Sequence, residues 1–480
     1  MNSSKKIINN VVWQFSERML AQIVSLIVSI VLARILFPED YGAVTMITVF
    51  ITIGNVFVTS GFPTALIQKK DADEIDFSTV FYFNFFLSII VYFIVFVFAP
   101  FVADFYKMEI LTALIRVMGL KIVISSISSI QHAYVSRHMI FKKYFWATFA
   151  GTVISGGVGI AMAIYGFGPW ALVAQYLINS TIDVIVLFFV VEWKPKLLFS
   201  IKRLAGLFSF GWKILFEGLA NEIDGQLRNL VIGRRYTSSD LGFYSKGQQF
   251  PQLVVTNVST AVGAVLFPAI SNEQSDPERV KTILRKSVSI VSYIIFPALA
   301  GLALVSKNFI LVVLGEKWIE STPYLILFCF INIFTIGMIP RHQALKGTGR
   351  SDVFMYEHML VRIVGLILLF LTYRISVLAI ALTGIISAVL MTITVMFTSK
   401  KFNGYLYKEQ LLDVLPTIIL CVLMAVPVFL ISFLPLHAFI LLILQIVVGI
   451  SSYVFVSIVS KNKNFAFIVR TIKGKISKKR

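Results

Sequence analysis

A stretch long enough to cross a membrane, Gly211 to Tyr236, reads GWKILFEGLANEIDGQLRNLVIGRRY and carries Lys213, Glu217, Glu222, Asp224 and Arg228 inside a very apolar chain. At 100° per residue, Lys213, Glu217, Asn221, Asp224 and Arg228 fall within an arc of roughly 80°, so a helix here puts all five on one face. Each charge at the centre of a membrane helix costs ~2.5–3.5 kcal/mol. The stripe cannot face lipid. It must face protein or a watered cavity, and ionisable groups held in that way are functional candidates by default.

The surrounding composition makes a membrane the relevant solvent. The 480 residues are 58% hydrophobic and 14% charged, with a mean hydropathy of +0.86; soluble domains have ~45–50% apolar and ~25% charged residues. The net charge of +19 is that of Lys and Arg gathered in cytoplasmic loops and beside anionic headgroups. No basic patch lies on a soluble domain, so nucleic acid is not expected as a partner. Cys329 and Cys421 both lie in apolar runs and read as small buried hydrophobes, not as a disulfide or a metal pair. The apolar segment after Lys5 and Lys6 contains Glu17 and Arg18 and lacks a small-residue cleavage site, so it reads as a retained first helix.

Apolar stretches near 20 residues, punctuated by Pro, Gly and charge, predict about fourteen helices. The spans are 11–36, 41–66, 78–103, 110–135, 144–165, 169–191, 207–233, 241–271, 285–313, 322–345, 353–373, 376–398, 411–432 and 436–459, with kinks expected at Pro251, Pro268, Pro297 and Pro340. With the N-terminus placed in the cytoplasm, Lys and Arg divide about 29 to 7 in favour of the cytoplasmic segments. An even number of crossings with both termini inside satisfies the positive-inside rule.

The chain also repeats itself. A shift of 200 residues places Glu17 on Glu217, Ile23 on Ile223, Val31 on Val231, Arg34 on Arg234, Asp40 on Asp240 and Gly42 on Gly242. After a gap of five, Phe62-Pro63 falls on Phe267-Pro268. Six helices separate the copies, so both enter the membrane in the same direction, the arrangement of parallel repeats. The expected organisation is an all-α polytopic membrane protein with two parallel six-helix lobes, residues 1–200 and 201–402. Two further helices occupy 403–460, and 461–480 form a basic cytoplasmic tail.

Several short motifs then fall in order: LARILFPEDYG at 32–42 with Gly61 and Ala65 to Gln68, GFGPWALV at 166–173, GRRYTSSDLGFYS at 233–245, LFPAISNEQSD at 266–276, FPALAGLALV at 296–305 and LGEKWIESTPYL at 314–325. Together they resemble the Wzx-like polysaccharide transporters of the multidrug/oligosaccharidyl-lipid/polysaccharide (MOP) flippase superfamily. The resemblance implies a fourteen-helix, two-lobed, MATE-like transporter in the bacterial inner membrane. It would flip a polyprenyl-pyrophosphate-linked oligosaccharide from the inner to the outer leaflet by alternating access. Its product would feed O-antigen, capsule or exopolysaccharide synthesis, with membrane lipids, a polysaccharide polymerase and glycosyltransferases as partners. A MATE-like multidrug/cation antiporter shares the architecture but favours acidic over cationic residues in its cavity. A membrane polysaccharide polymerase or ligase predicts a sizeable outer loop, which this chain lacks.

Such transport needs a polar passage for sugars and cations for the pyrophosphate, and no covalent step. On the first helix Arg18, Gln22, Ser25 and Ser29 share an arc of about 60°, with Glu17 at its edge. If the lobes face each other, this stripe and the one at 213–228 line the substrate pathway: Arg18, Gln22, Lys213, Glu217, Asn221, Asp224 and Arg228. Arg18, Lys213 and Arg228 are then the phosphate ligands, and Glu17, Glu217 and Asp224 the candidates for coupling to protons or Na⁺. The blander alternative is that Lys213–Glu217 and Asp224–Arg228, both i,i+4 pairs, neutralise one another.

Arg34, Asp40, Arg234 and Asp240 stand at matched helix ends. They read as an Arg near the last carbonyls of one helix and an Asp N-cap on the next, or as an extracytoplasmic gate. Arg116, Lys121, Asp183 and Arg362 are isolated intramembrane charges, and Gln175 and Asn179 form a polar pair on the helix of Asp183. Gly151, Gly156, Gly157 and Gly159 suit close helix packing. The five histidines show no ligand spacing, so no metal is expected, and His132 reads as an interhelical partner. No phosphate-binding G-x-x-x-x-G-K-[ST] loop and no nucleophile motif is present; neither a cofactor nor an enzymatic activity is expected.

Overall fold

The computed structural model describes residues 20–69, 71–138 and 141–477, with side chains except at 141–148, 351 and 472–477. Glu17 and Arg18 lie outside the described residues. Among the described residues there is no strand. In chain order the helices are α1 (Leu20–Ile35), α2 (Pro38–Thr59), α3 (Phe62–Gln68), α4 (Glu74–Tyr106), α5 (Ile110–His138), α6 (Phe141–Ile164), α7 (Pro169–Val190), α8 (Ile201–Arg235) and α9 (Ser238–Asn272). There follow α10 (Pro277–Leu304), α11 (Ser306–Val313), a 3₁₀ turn (Glu316–Ser321), α12 (Thr322–Gly347), α13 (Ser351–Thr372), α14 (Val377–Asn403), α15 (Tyr407–Ile431), α16 (Ala438–Val459) and α17 (Lys463–Ser477).

Among the described residues, 11 helices are long and apolar enough to cross a membrane, and two shorter apolar helices, Leu20–Ile35 and Phe149–Ile164, accompany them. α8 is not in that set, because its charges interrupt every apolar window. α4 shows why such helices need lipid: at 33 residues it is ~50 Å long, and Phe86, Phe93, Phe98 and Phe101 are all more than half exposed on it.

Two local features depart from the expected spans. The predicted span 41–66 is broken at Ser60–Gly61, where Gly61 has φ +78° and a side chain on it would lie 2.9 Å from the carbonyl oxygen of Gly211. The bare backbone lets α8 pass against the break. The predicted span 285–313 begins earlier, at Pro277, and ends as two helices, α10 and α11, parted at Val305. The helices run on through Pro251, Pro268, Pro297 and Pro340. In addition, the tail expected only to be basic forms α17, whose Phe465 and Ile468 pack against Tyr293, Leu420, Met424 and Tyr453.

The chain forms two compact units, Met1–Gly242 and Phe243–Arg480. The sequence repeat divides at 200/201, so packing and repeat partition the chain differently: α8, first helix of the second copy, packs along α2, α3 and α4 in the first unit. In the second unit, α15 and α16 pack on α10 and on each other. There the Tyr293 hydroxyl donates to Ser457 Oγ (2.8 Å) and the Tyr453 hydroxyl to the carbonyl of Tyr293 (2.7 Å).

Candidate functional site

α8 is held by small residues along one side. Gly211 meets the backbone of Gly61, Gly218 meets Val56 and Ser60, and Gly233 meets Met46 and Tyr106. That face being used for packing, the charged stripe turns away from it. Lys213, Glu217 and Asn221 are exposed, and Asp224 and Arg228 are half-buried. Gln22 on α1 is half-buried as well. Among the described residues no ion pair joins Lys213 to Glu217, so the i,i+4 neutralisation that the spacing allows is not made there. Arg228 goes further: its Nε is buried without a hydrogen-bond partner, a donor with its desolvation cost unreturned. On the same helix, Glu222 accepts from Gln226 Nε2 at 2.9 Å and Gln226 Oε1 from Asn229 Nδ2 at 2.8 Å, a polar run beside the stripe.

The four matched helix-end residues come together at two turns. α2 opens with Pro38 in its first turn, and Asp40 Oδ2 accepts the N–H of Phe37 at 2.9 Å. α9 opens in the same way: Asp240 Oδ2 accepts from Thr237 N (3.1 Å) and Thr237 Oγ1 (2.7 Å), while Thr237 Oγ1 accepts the N–H of Asp240 (3.1 Å). Both aspartates are therefore the third residue of their helix, not the N-cap that the sequence suggested; each reaches back to the cap as a capping box requires. Arg34 and Arg234 are exposed, and the Arg234 guanidinium lies 5.0 Å from the centre of the Phe105 ring.

These two turns touch. A side chain on Gly42 would meet the carbonyl oxygen of Ser238 at 1.8 Å, and one on Gly242 would meet that of Pro38 at 2.1 Å. Between them Ser239 Oγ donates to Glu39 Oε1 at 3.1 Å. Residues related by the 200-residue repeat thus contact one another reciprocally, as in a two-fold interface. The α6–α7 turn closes beside them through Gly166 (φ +81°) and Gly168 (φ +53°), with Asp40 Oδ1 3.0 Å from where a Gly168 side chain would begin.

The isolated charges also find places. Arg116 Nε donates to the carbonyl of Phe96 (3.4 Å) and its guanidinium covers the Phe96 ring, while Lys121 lies over Tyr176. Both tie neighbouring helices. His132 Nε2 and Asp183 Oδ2 are 2.9 Å apart on the wall of a polar cavity of about 230 Å³, lined also by Thr59, Ser125, Ser128, Ser129, Gly151, Asn179 and Ser180. Asn179 Nδ2 donates to Ser155 Oγ at 3.4 Å. Of the glycines on α6, Gly151, Gly156 and Gly159 meet neighbouring helices and Gly157 meets nothing within 4 Å.

Among the described residues the second unit buries Lys246, Arg341 and Glu357, none of which the sequence singled out as a site. Lys246 on α9 is 4% exposed, with Nζ donating to Gln249 Oε1 at 2.9 Å. Glu357 on α13 is 2% exposed, accepts the Thr398 hydroxyl of α14, and faces His342 of α12 at 3.5 Å. Glu357 is the only acid in the predicted span 353–373, which it shares with Arg362, and as such was available as a signal. No group of three or more His, Cys, Asp or Glu able to hold a metal exists among the described residues.

Comparison with known proteins agrees with this architecture. The family model described as polysaccharide biosynthesis protein matches residues 31–323. The lipopolysaccharide biosynthesis protein WzxC of Escherichia coli (strain K12) is 26% identical over 357 residues, 74% of this chain and 72% of that protein. The succinoglycan biosynthesis transport protein ExoT of Rhizobium meliloti (strain 1021) is 25% identical over 354 residues, with 74% and 72% covered. Among solved structures, the lipid II flippase MurJ in an inward closed conformation superposes with a TM-score of 0.75 at 16% identity, covering 93% of this chain and 99% of that one. The fold is like that of the lipid II flippase MurJ, and this chain belongs to the polysaccharide biosynthesis protein family.

Proposed function

We propose that this chain is a transporter that moves a polyprenyl-pyrophosphate-linked oligosaccharide from the inner to the outer leaflet of the bacterial cytoplasmic membrane, by alternating access, for assembly of a surface polysaccharide. The observation that carries this reading is the stripe on α8. A helix in an apolar protein keeps Lys213, Glu217 and Asn221 exposed and Arg228 Nε buried and unpartnered. Cations in that setting suit an anionic cargo, and guanidinium binds phosphate through paired donors. Family membership, the transport function printed for ExoT and the MurJ-like fold support the same conclusion.

In this reading α1, α6 and α8 join the 11 apolar spans to make fourteen crossings, with both termini in the cytoplasm and two six-helix lobes preceding the last two helices. Arg18, Gln22, Lys213, Glu217, Asn221, Asp224 and Arg228 form the pathway, and Glu17, Glu217 and Asp224 are its acids for ion coupling. The turns bearing Arg34, Asp40, Arg234 and Asp240 form the extracytoplasmic gate, drawn closed by the Gly42 and Gly242 contacts. A polymerase and glycosyltransferases use and supply the lipid-linked unit.

The test is made in cells. Neutralising Arg18, Lys213 and Arg228 together to Gln should abolish surface polysaccharide and leave lipid-linked repeat units inside. Normal surface polysaccharide from a correctly inserted triple variant would overturn the assignment.

A further inference from the structure

A second cationic place lies at the other end of α8. The first unit has a cavity of about 540 Å³ between the C-terminus of α3 and the first turns of α8, lined by Gln68, Lys69, Lys202 and Arg203 above an apolar floor that includes Leu207 and Phe210. Three cations converge there, and no carboxylate is among its lining residues.

Two of the cations are fixed from behind. Asp76 is fully buried, and its Oδ2 lies 2.6 Å from Lys69 Nζ and 3.5 Å from Arg203 Nη1. Arg203 Nη2 reaches Asp73 Oδ2 at 3.1 Å. Arg137 Nη1 donates to the carbonyls of Leu66 and Lys69, holding the end of α3 in place. The one ion pair of Lys69 and the two of Arg203 do not exhaust their donors, since a lysine carries three N–H groups and an arginine five. Lys202, exposed at the rim, has no ion-pair partner among the described residues. A ring of oriented donors above an apolar floor matches a phosphate carried on a lipid: oxygens for the ring, the first carbons of the chain for the floor.

We propose that this pocket is a docking site for the phosphate or pyrophosphate headgroup of an isoprenoid-linked lipid in the cytoplasmic leaflet, which it holds before the cargo reaches the α8 stripe. The proposal rests on the transport reading above and names where its substrate is first bound. An anionic phospholipid offers the same phosphate chemistry, so the experiment must separate the two sources.

Gly206 provides the means. It lines the cavity, and a Cβ added there meets nothing within 4 Å, so Gly206→Leu adds bulk at the cavity wall from a position where its first carbon clashes with nothing. Lys202→Gln removes the rim charge. Neither touches the Asp73–Asp76–Arg203 network, and an unchanged melting temperature shows that each variant is folded. The full-length protein, in nanodiscs of phosphatidylcholine, is titrated with farnesyl pyrophosphate and separately with phosphatidylglycerol. Both variants should bind farnesyl pyrophosphate about tenfold or more weakly and phosphatidylglycerol as the parent does. Parent-like affinity for farnesyl pyrophosphate in either variant overturns the site, and an equal loss for both lipids overturns its assignment to the isoprenoid headgroup. Failure here leaves the transport reading standing if the α8 triple variant still blocks export. If that variant exports normally, the assignment of Arg18, Lys213 and Arg228 to the cargo fails whatever this pocket binds.

Discussion

Gly42 and Gly242, 200 residues apart and equivalent in the internal repeat, each lie against a carbonyl at the start of the other's helix: Gly42 against Ser238 and Gly242 against Pro38, so closely that a methyl group would stand 1.8 Å and 2.1 Å from the oxygen. Both are ordinary helical residues, so glycine is required here for space and not for backbone freedom. A Cβ at either position forces the two turns apart, and such overpacking costs ~1–3 kcal/mol or more. Gly42→Val and Gly242→Val should each lengthen the distance between spin labels at positions 39 and 239, measured by pulsed electron resonance, and lower glycan export at least tenfold. A distance unchanged from the parent in either variant counts against the gate.

The same contact can be locked. Glu39 Oε1 and Ser239 Oγ are 3.1 Å apart, and the two native cysteines, Cys329 and Cys421, are free thiols. With both replaced by serine, a Glu39→Cys, Ser239→Cys pair should be bridged by a short bis-methanethiosulfonate cross-linker, which forms a disulfide to each cysteine and spans the reach of the lost glutamate side chain; the bridge should stop export, and reduction should restore it. Export that persists with the bridge formed would show that these turns need not part during transport.

How much of this was legible in the sequence depends on the range of the signal. The α8 stripe was, because helical period and apolar composition are local; so was the relation of Arg34, Asp40 and Gly42 to Arg234, Asp240 and Gly242, because a repeat needs only self-comparison. That the repeated turns touch each other was not. Repetition gives equivalence and says nothing of contact. The capping role of Asp40 and Asp240 was misplaced by three residues, because Pro38 and Ser238 had already begun their helices. The break at Gly61 was read as continuous helix although Gly61 and Pro63 are local signals for one; what the sequence hid is the close approach of Gly211, 150 positions away. Glu357 and Lys246 escaped notice for a different reason: Lys246 is a single charge near the start of its span and Glu357 shares its span with Arg362, so each passes for a charge at a helix end until its burial against Gln249, or against Thr398 and His342, is seen.

The Asp73–Asp76–Arg203 network should govern acid sensitivity of the α3–α4 junction. The Asp73 carboxyl is held below the usual carboxylate range, first by the backbone N–H of Asp76; burial pushes the other way, and the Arg203 charge, the Asp76 side chain and the Lys69 charge add to the lowering. A depressed folded-state value stabilises the fold at pH above the unfolded value of ~3.9, and the contribution is lost as pH falls through the folded value. The melting temperature should therefore be insensitive to this group from pH 7 to about 5 and fall below about 4. Asp73→Asn should flatten that fall; an identical acid profile in the variant would remove Asp73 from the account. Asp76→Ala, which strips a fully buried acceptor from two partly exposed cations, should cost ~1–3 kcal/mol.

The His132–Asp183 pair lends itself to a double-mutant cycle that separates an interhelical tie from an electrostatic one. With 2.9 Å between Nε2 and Oδ2, an asparagine at 183 keeps an acceptor for the imidazole N–H and gives up only the charge. Asp183→Asn should then leave the melting temperature within a degree or two of the parent, while Asp183→Leu removes the acceptor and should cost ~1–3 kcal/mol. The Asp183→Leu loss should shrink when His132→Leu is also present, because no donor is then left without its partner. If Asp183→Asn destabilises as much as Asp183→Leu, the charge itself holds α5 to α7. The polar cavity of about 230 Å³ then owes its closure to an ion pair, and the pair should weaken as salt is raised.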